Sequence, residues 1–466
     1  LSDQPKFLSG SLMRHVVVMA STGSVGLMAV FLVDFVDMIF ISMLGKAELA
    51  AAIGYAGTIL FFTTSISVGL AIAAGALVAR ALGAGDAARA RVIGTHVLVA
   101  GFIMAVLFAA LVWVNVRPLS ALLGARGETL ELSASYLATI VPTMPFLMIG
   151  MAAGAILRAH GDAQRAMWAT IAGGGVNAVL DPILIFGLDL ELTGAALASV
   201  AARVTIMVVS VLPLLKHYGG FAPLRLPAFL GDLRPILGIA MPAMLTNIAT
   251  PLGTAYVTRE MARFGEEAVA GMAIVGRLTP VTFAMIFALS GAIGPIIGQN
   301  FGAGRYDRVR GAFRDGLVFI AGYVALASLV LFLLREPLAG LFSASGLTRE
   351  LVFLFCGPLA LAWYFNGVIF VGNAAFNNLG HPFYSTTVNW GRNTLGTVPL
   401  VSLGAWAYGA PGVLVGQALG GVIFAAISVV LALRLIARQE AGLDVARPPA
   451  EFSRRARLVQ MFHARR

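Results

Sequence analysis

Long apolar runs, separated by short turns that carry glycine and charge, set the pattern of this chain. Twelve of the runs are long enough to cross a bilayer as helices, which takes ~20 residues. They cover roughly 14–43, 48–80, 92–115, 129–157, 164–188, 192–215, 233–261, 266–299, 311–334, 349–376, 383–407 and 410–436. The pattern predicts an all-α integral membrane protein with twelve transmembrane helices.

The turns repeat. Leu82-Gly83-Ala84-Gly85 with Arg89 and Arg91 follows the second run, and Phe301-Gly302-Ala303-Gly304 with Arg308 and Arg310 follows the eighth. The offset of 219 residues also carries Gly161 onto Gly380. Gly45 with Glu48 and Ala50 maps onto Gly265 with Ala268 and Ala270 at 220, and Gly194 maps onto Gly412 at 218. Each copy holds six spans, an even number, so the copies share one orientation and form a parallel repeat. The division expected is an N-terminal lobe over 1–217, an inter-lobe linker over 218–232, a C-terminal lobe over 233–438 and a basic cytoplasmic tail over 439–466. Two like-oriented lobes with a cavity between them are transporter architecture, and rocking of one against the other gives alternating access.

Small residues such as Gly69, Ala73 and Gly75, Gly173 to Gly175, and Gly291, Gly294 and Gly298 allow close helix packing within spans. Pro142, Pro145, Pro242, Pro251, Pro280, Pro295 and Pro399 each remove a backbone donor and favour a kink.

Composition agrees with the spans. Of 466 residues, 59% are hydrophobic and 12% charged, against about 25% charged in soluble domains. The net charge is +10, and its placement is informative. With both termini in the cytoplasm, 22 Lys and Arg fall on that side and seven outside, while Arg203, Arg277 and Arg392 lie within spans. That asymmetry follows the positive-inside rule. Basic residues dispersed over short loops exclude a nucleic-acid partner. The tail, with Phe452, Leu458, Met461 and Phe462 among its arginines, reads either as a surface helix on anionic lipid or as a disordered segment. The lone Cys356 excludes a disulfide framework and reads as a small buried hydrophobe. The six histidines show no metal-ligand spacing, and no phosphate-binding glycine loop is present. The chain therefore reads as neither a metalloenzyme nor a nucleotide hydrolase.

The candidate chemistry lies in acids within spans. A carboxylate in hydrocarbon costs a few kcal/mol at least, and it is retained where it serves an ion or substrate path. Asp34 and Asp37 stand three apart in the first span, hence on one helix face. Asn177 and Asp181 stand four apart in the fifth, again on one face. An amide carbonyl and a carboxylate so placed can coordinate a desolvated cation or form a proton-dependent hydrogen bond. Asn177 can equally serve as glue between helices, and Asp34 sits near the outer interface. If the first and fifth spans face one cavity, Asp37, Asn177 and Asp181 form one site. In the second half Asn247, Thr250, Thr254, Tyr256, Thr258, Asn366, Asn373, Asn389, Arg392, Asn393 and Gln417 provide polar groups but no acid deep within a span, so coupling chemistry is expected in the N-terminal lobe alone.

Several segments together resemble the multidrug and toxic compound extrusion (MATE) family of transporters, over essentially all twelve spans. They are Asp37 followed by Leu44-Gly45 and Leu49-Ala50; Ile156-Leu157-Arg158-Ala159-His160-Gly161-Asp162; Asn177 through Asp181-Pro182 to Phe186-Gly187; Gly194 to Ala198; and Ile297-Gly298-Gln299-Asn300 with Gly302-Ala303-Gly304. The branch looks DinF-like, because acids that the other main bacterial branch carries in the seventh and tenth spans are missing here. The resemblance implies a proton- or sodium-linked site at Asp37, Asn177, Asp181 and Ser199, with Ser199 standing where threonine is more familiar. Asp34 is an accessory candidate. Relatives of this branch often carry a proline in the first span, where this chain has Ser21-Thr22-Gly23-Ser24.

The expectation is a secondary antiporter of the bacterial inner membrane, multi-pass, with both termini cytoplasmic. It exports amphipathic or cationic organic compounds in exchange for H⁺ or Na⁺. It is no enzyme, holds no cofactor and no metal beyond a Na⁺ at the coupling site, and works as a monomer among membrane lipids. The alternatives are a dedicated exporter of one natural product or siderophore on the same fold, and a lipid-linked precursor flippase, which needs a strongly cationic central cavity. A proton is favoured over sodium, because two carboxylates in an apolar site can share one.

Overall fold

A computed structural model describes residues 5–44 and 46–443; the tail over 444–466 and Gly45 lie outside the described residues. Helix accounts for nearly all of it, and no strand occurs among the described residues. The first lobe comprises α1 (Leu12–Met43), α2 (Ala47–Gly83), α3 (Ala87–Val114), α4 (Val116–Leu122), α5 (Gly127–Ile140), α6 (Met144–Ala159), α7 (Ala163–Pro182) and α8 (Glu191–His217). The second comprises α9 (Leu226–Ala262), α10 (Glu266–Thr282), α11 (Ala284–Gly302), α12 (Tyr306–Leu341), α13 (Gly346–Leu354), α14 (Ala360–Asn378), α15 (Pro382–Gly391) and α16 (Thr397–Glu440). Within the expected linker, only 218–225 is without helix, since α8 ends at His217 and α9 begins at Leu226.

Eleven helical stretches among the described residues are long and apolar enough to cross a membrane. The last, Pro382–Glu440, runs 59 residues, roughly 90 Å if straight and far beyond a bilayer. It doubles back at Gly409, whose φ of 65° and ψ of −144° leave the helical region. Glycines make the hairpin close. A Cβ on Gly404 would stand 2.1 Å from the Gly412 carbonyl oxygen, and one on Gly416 2.2 Å from that of Leu400. Division there yields the twelve spans of two six-helix lobes.

Prolines mark several interruptions. Pro142 lies in a 3₁₀ turn, Val141–Thr143, between α5 and α6. Pro280 precedes the break at Phe283, and Pro358 follows Gly357, which is non-helical at φ −105° and ψ −116°. Pro242 and Pro251 sit within the continuous α9. The first span, without proline, is one unbroken helix of 32 residues. Cys356 is fully buried, as expected of a small hydrophobe.

The lobes meet along α1, α2, α9 and α11. At one end α2 and α11 cross with backbones touching. A Cβ on Gly83 would stand 1.9 Å from the Gln299 carbonyl oxygen, and one on Gly302 2.1 Å from that of Arg80. The two contacts exchange under the 219-residue repeat, so the crossing lies on the pseudo-symmetry axis. The N-terminal segment seals this end. Phe7 is wholly buried; its N–H donates to Gln299 Oε1 (2.9 Å) and its carbonyl accepts from Asn300 Nδ2 (3.1 Å). Gln299 Nε2 in turn donates to the Ala159 carbonyl of the first lobe (2.8 Å). Toward the opposite end, contact between lobes thins to pairs such as Arg277 Nη2 and Met38 Sδ at 3.9 Å.

Candidate functional site

The acids of the first and fifth spans meet. Packing of α1 on α7 is close because glycines line it. Gly26 faces Thr170, and a Cβ on Gly174 would stand 3.2 Å from Val33 Cγ2. Asp37, half-buried on α1, and Asp181, fully buried on α7, bring their carboxyls within hydrogen-bonding reach of one another. Asn177 Nδ2 donates to Asp181 Oδ2 at 3.1 Å, one turn along the same helix. One oxygen of each acid, Asp37 Oδ1 and Asp181 Oδ1, is buried and receives no hydrogen bond among the described residues.

Two carboxyls in mutual contact repel unless something positive lies between them. A proton or a small cation answers that need, and the unsatisfied oxygens are spare ligands for either. Just beyond Asp181 the helix widens into a π-type turn, Ile183–Gly187, where Pro182 cannot donate its backbone N–H. Such turns are frequent at functional sites.

Ser199 and Asp34 stand differently. Ser199 on α8 is half-buried beside Tyr136 of α5, and Tyr136 lies within electrostatic reach of Arg203, Asp37 and Asp181. Among the described residues no hydrogen bond joins Ser199 to Asp37, Asn177 or Asp181, and the tyrosine beside it was not singled out by sequence reasoning. Tyr136 is one of nine tyrosines, with no spacing signal to mark it. Arg203 Nη1 donates to the Ile140 carbonyl (3.2 Å) and to Thr143 Oγ1 (3.0 Å), both at the break between α5 and α6. Asp34 is exposed and close enough to Asp37 for electrostatic coupling.

In the second lobe some of the polar residues bond helix to helix, while Asn247, Thr258 and Asn393 donate to carbonyls one turn back along the chain. Asn389 Nδ2 donates to Asn373 Oδ1 (3.0 Å), and Tyr256 and Ser402 share a hydrogen bond of 2.6 Å. Arg80 and Arg158, counted on the cytoplasmic side from sequence, stand in the last turns of their helices and lie half-buried near the lobe interface. Arg80 Nη2 donates to the Asn377 carbonyl across that interface (2.5 Å). A Cβ on Gly291 of α11 would stand 3.6 Å from Arg158 Nε. No group of His, Cys, Asp and Glu suited to a metal ion occurs among the described residues.

Comparison with known proteins agrees with this architecture. The MatE family model matches residues 24–183 and 242–402, one stretch in each lobe. The chain is 29% identical to a protein of Shewanella oneidensis named FAD transporter, over 93% of this chain and 97% of that one. It is 24% identical to the multidrug export protein MepA of Staphylococcus aureus, over 74% and 77%. A crystal structure of a variant of the Vibrio cholerae MATE transporter VcmN superposes with a TM-score of 0.87 at 25% identity, covering 91% of this chain and 97% of that one. These relatives are transporters, not enzymes. The chain belongs to the MatE family, the multidrug and toxic compound extrusion transporters.

Proposed function

We propose that the protein is a secondary antiporter that exports amphipathic or cationic organic compounds in exchange for H⁺, by alternating access between its two lobes. The observation that carries this reading is the contact of Asp37 with Asp181, backed by Asn177, inside the first lobe. Two carboxyls that hydrogen-bond to one another hold a proton between them, and losing it forces them apart. Such a pair converts ion occupancy into a change of helix packing between α1 and α7. A Na⁺ coordinated by the same oxygens performs the same role, and it is the alternative ion. In sodium-free proteoliposomes an inward proton gradient should drive counterflow of ethidium. Drug addition to the solubilised protein should release protons, and the release should vanish in Asp37→Asn. Transport that needs sodium and ignores the pH gradient reverses the assignment.

We place the protein in the bacterial inner membrane as a monomer, with the sealed end and both termini in the cytoplasm. Arg14, Arg89, Arg91, Arg305 and Arg310 cluster around that end, as the positive-inside rule requires. The cleft between the lobes then opens outward. Cys356 is buried, so single exposed cysteines can be read against it. Ala84→Cys and Asp307→Cys should label from the cytoplasm, and Arg126→Cys and Glu266→Cys from outside. Opposite sidedness of Ala84→Cys and Asp307→Cys contradicts the parallel repeat.

A second reading is a dedicated exporter of one anionic natural product on the same coupling site. It draws on the Shewanella oneidensis relative named FAD transporter and on Arg158, which has no hydrogen bond from its guanidinium and no carboxylate partner among the described residues. Saturable efflux of FAD, with no efflux of ethidium, selects this reading over the first.

A further inference from the structure

A cavity of about 480 Å³ lies on the flank of the first lobe, away from the acids. Helices α3 and α8 both pack on α6 and leave a gap between them. Leu98, Phe102, Met207, Val208, Val211 and Phe221 line that gap. Phe102 and Val208 are exposed, so the gap opens sideways to the surroundings of the lobe. Thr95 and Phe102 both line it; seven residues of helix give it a depth of roughly 10 Å along the membrane normal.

The inner end of the cavity changes character. Thr95, Leu98 and Phe221 are shared with a narrow slot that Arg91, His160 and Tyr218 also line. The slot is built by the inter-lobe linker. The Ala222 N–H donates to Thr95 Oγ1 at 3.0 Å, and the Gly219 carbonyl accepts from Arg91 Nη1 at 3.4 Å. Burial pushes the His160 imidazole down to about 4, so the ring is neutral in the cell. Asp162, the carboxylate beside the slot, is already engaged by the Tyr218 hydroxyl (2.8 Å) and by Arg165 (2.5 Å). Arg91 makes no ion pair among the described residues and is exposed. Lys216 and Arg225 stand nearby in the chain, also exposed. The site therefore offers an apolar trough running into the hydrocarbon and, at its end, an unpaired cation at the depth of the headgroups.

We propose that this is a binding site for an anionic membrane phospholipid, with one acyl chain in the trough and its phosphate at Arg91. The volume falls within the ~300–1,000 Å³ of ordinary small-molecule sites, and polybasic ends of membrane helices select anionic headgroups by charge. A lipid so held touches the linker at Phe221 and both α3 and α8. It ties the connection between the lobes to the first lobe. The placement of Arg91 in the cytoplasmic leaflet rests on the orientation given above, but binding itself does not.

Native mass spectrometry of the purified full chain tests this with phosphatidylglycerol and phosphatidylcholine as probes. The wild type should retain phosphatidylglycerol at least about five-fold more tightly, and phosphatidylglycerol should raise its melting temperature while phosphatidylcholine does not. Arg91→Gln should bring the two lipids close to parity. Val208→Trp, which fills the trough from its exposed side, should weaken both. Equal retention and equal thermal shift of the two lipids by the wild type overturn the proposal without recourse to any variant. So does Arg91→Gln that keeps the preference, or ethidium that displaces the bound lipid, which makes the trough a cargo path. Loss of proton-driven counterflow has no bearing on these readouts, so failure of the antiport reading and failure of the lipid site are distinguishable.

Discussion

Asp37→Asn and Asp181→Asn should each reduce gradient-driven efflux to the level of passive leak, while leaving the folded protein in the membrane. The reason lies in what the pair must do. An ion drives transport only if it binds the two states of the carrier unequally, and the difference in binding energy is the whole of the coupling. Asp37 and Asp181 touch one another across α1 and α7, and one oxygen of each is buried without a donor. Their occupancy is therefore linked to how closely those helices pack. An amide at either position has nearly the same volume, so packing survives. It supplies its own hydrogen atoms to the partner carboxyl and holds the contact closed whatever the pH. A tenfold loss of the ion's preference between states corresponds to ~1.4 kcal/mol, well within what one charged hydrogen bond contributes. Asp34→Asn should weaken efflux less, since Asp34 is exposed and acts on Asp37 only through space. Counterflow in proteoliposomes with matched protein content is the measurement. Asp181→Asn with wild-type counterflow at equal content removes the pair from the coupling step.

Much of this arrangement was legible in the chain. Span positions follow from apolar runs that nothing but a bilayer explains, and the repeat follows from loops such as Gly83–Gly85 and Gly302–Gly304, where glycine at both copies answers one backbone requirement. Asp37 and Asp181 stood out because charge is rare in such runs. What stayed hidden were contacts made across helices far apart in sequence. Tyr136 stands near Ser199 and within electrostatic reach of the acids, yet a tyrosine in an apolar run carries no mark of its neighbours. Arg80 and Arg158 end helices, and nothing in the sequence shows that their side chains reach Asn377 and Gly291 of the other lobe. The linker was expected to reach Asp232, from its glycine, proline and charge. Asp232 instead lies inside α9, buried against Arg89 and His96, and such an ion pair shows only in three dimensions. Phe7, in a short polar segment, has no periodicity to announce that it is buried.

Gly83→Ala and Gly302→Ala should each pry the lobes apart at the sealed end and shift the protein toward a state open on that side. The added methyl would stand 1.9 Å from the Gln299 carbonyl oxygen in the first case and 2.1 Å from that of Arg80 in the second. Both obstacles are backbone, so no rotamer change relieves them, and the helices α2 and α11 must separate. Overpacking of this kind costs about 1–3 kcal/mol. Between two carrier states of similar energy, that is a shift in population of roughly 5- to 150-fold. Spin labels at Ala84→Cys and Asp307→Cys, one on each lobe, should show a single short distance in the parent and a longer population in either variant. The double variant should show little of the short one. Gly57→Ala is the control. It lies in the same helix α2, where a Cβ meets nothing within 4 Å, and alanine favours helix over glycine, so its distance distribution should match the parent. Efflux should fall in Gly83→Ala and Gly302→Ala even though neither residue touches an acid, because a carrier that cannot reseal one end has lost half of its cycle. An unchanged distance distribution in both variants shows that the α2–α11 crossing is not the seal.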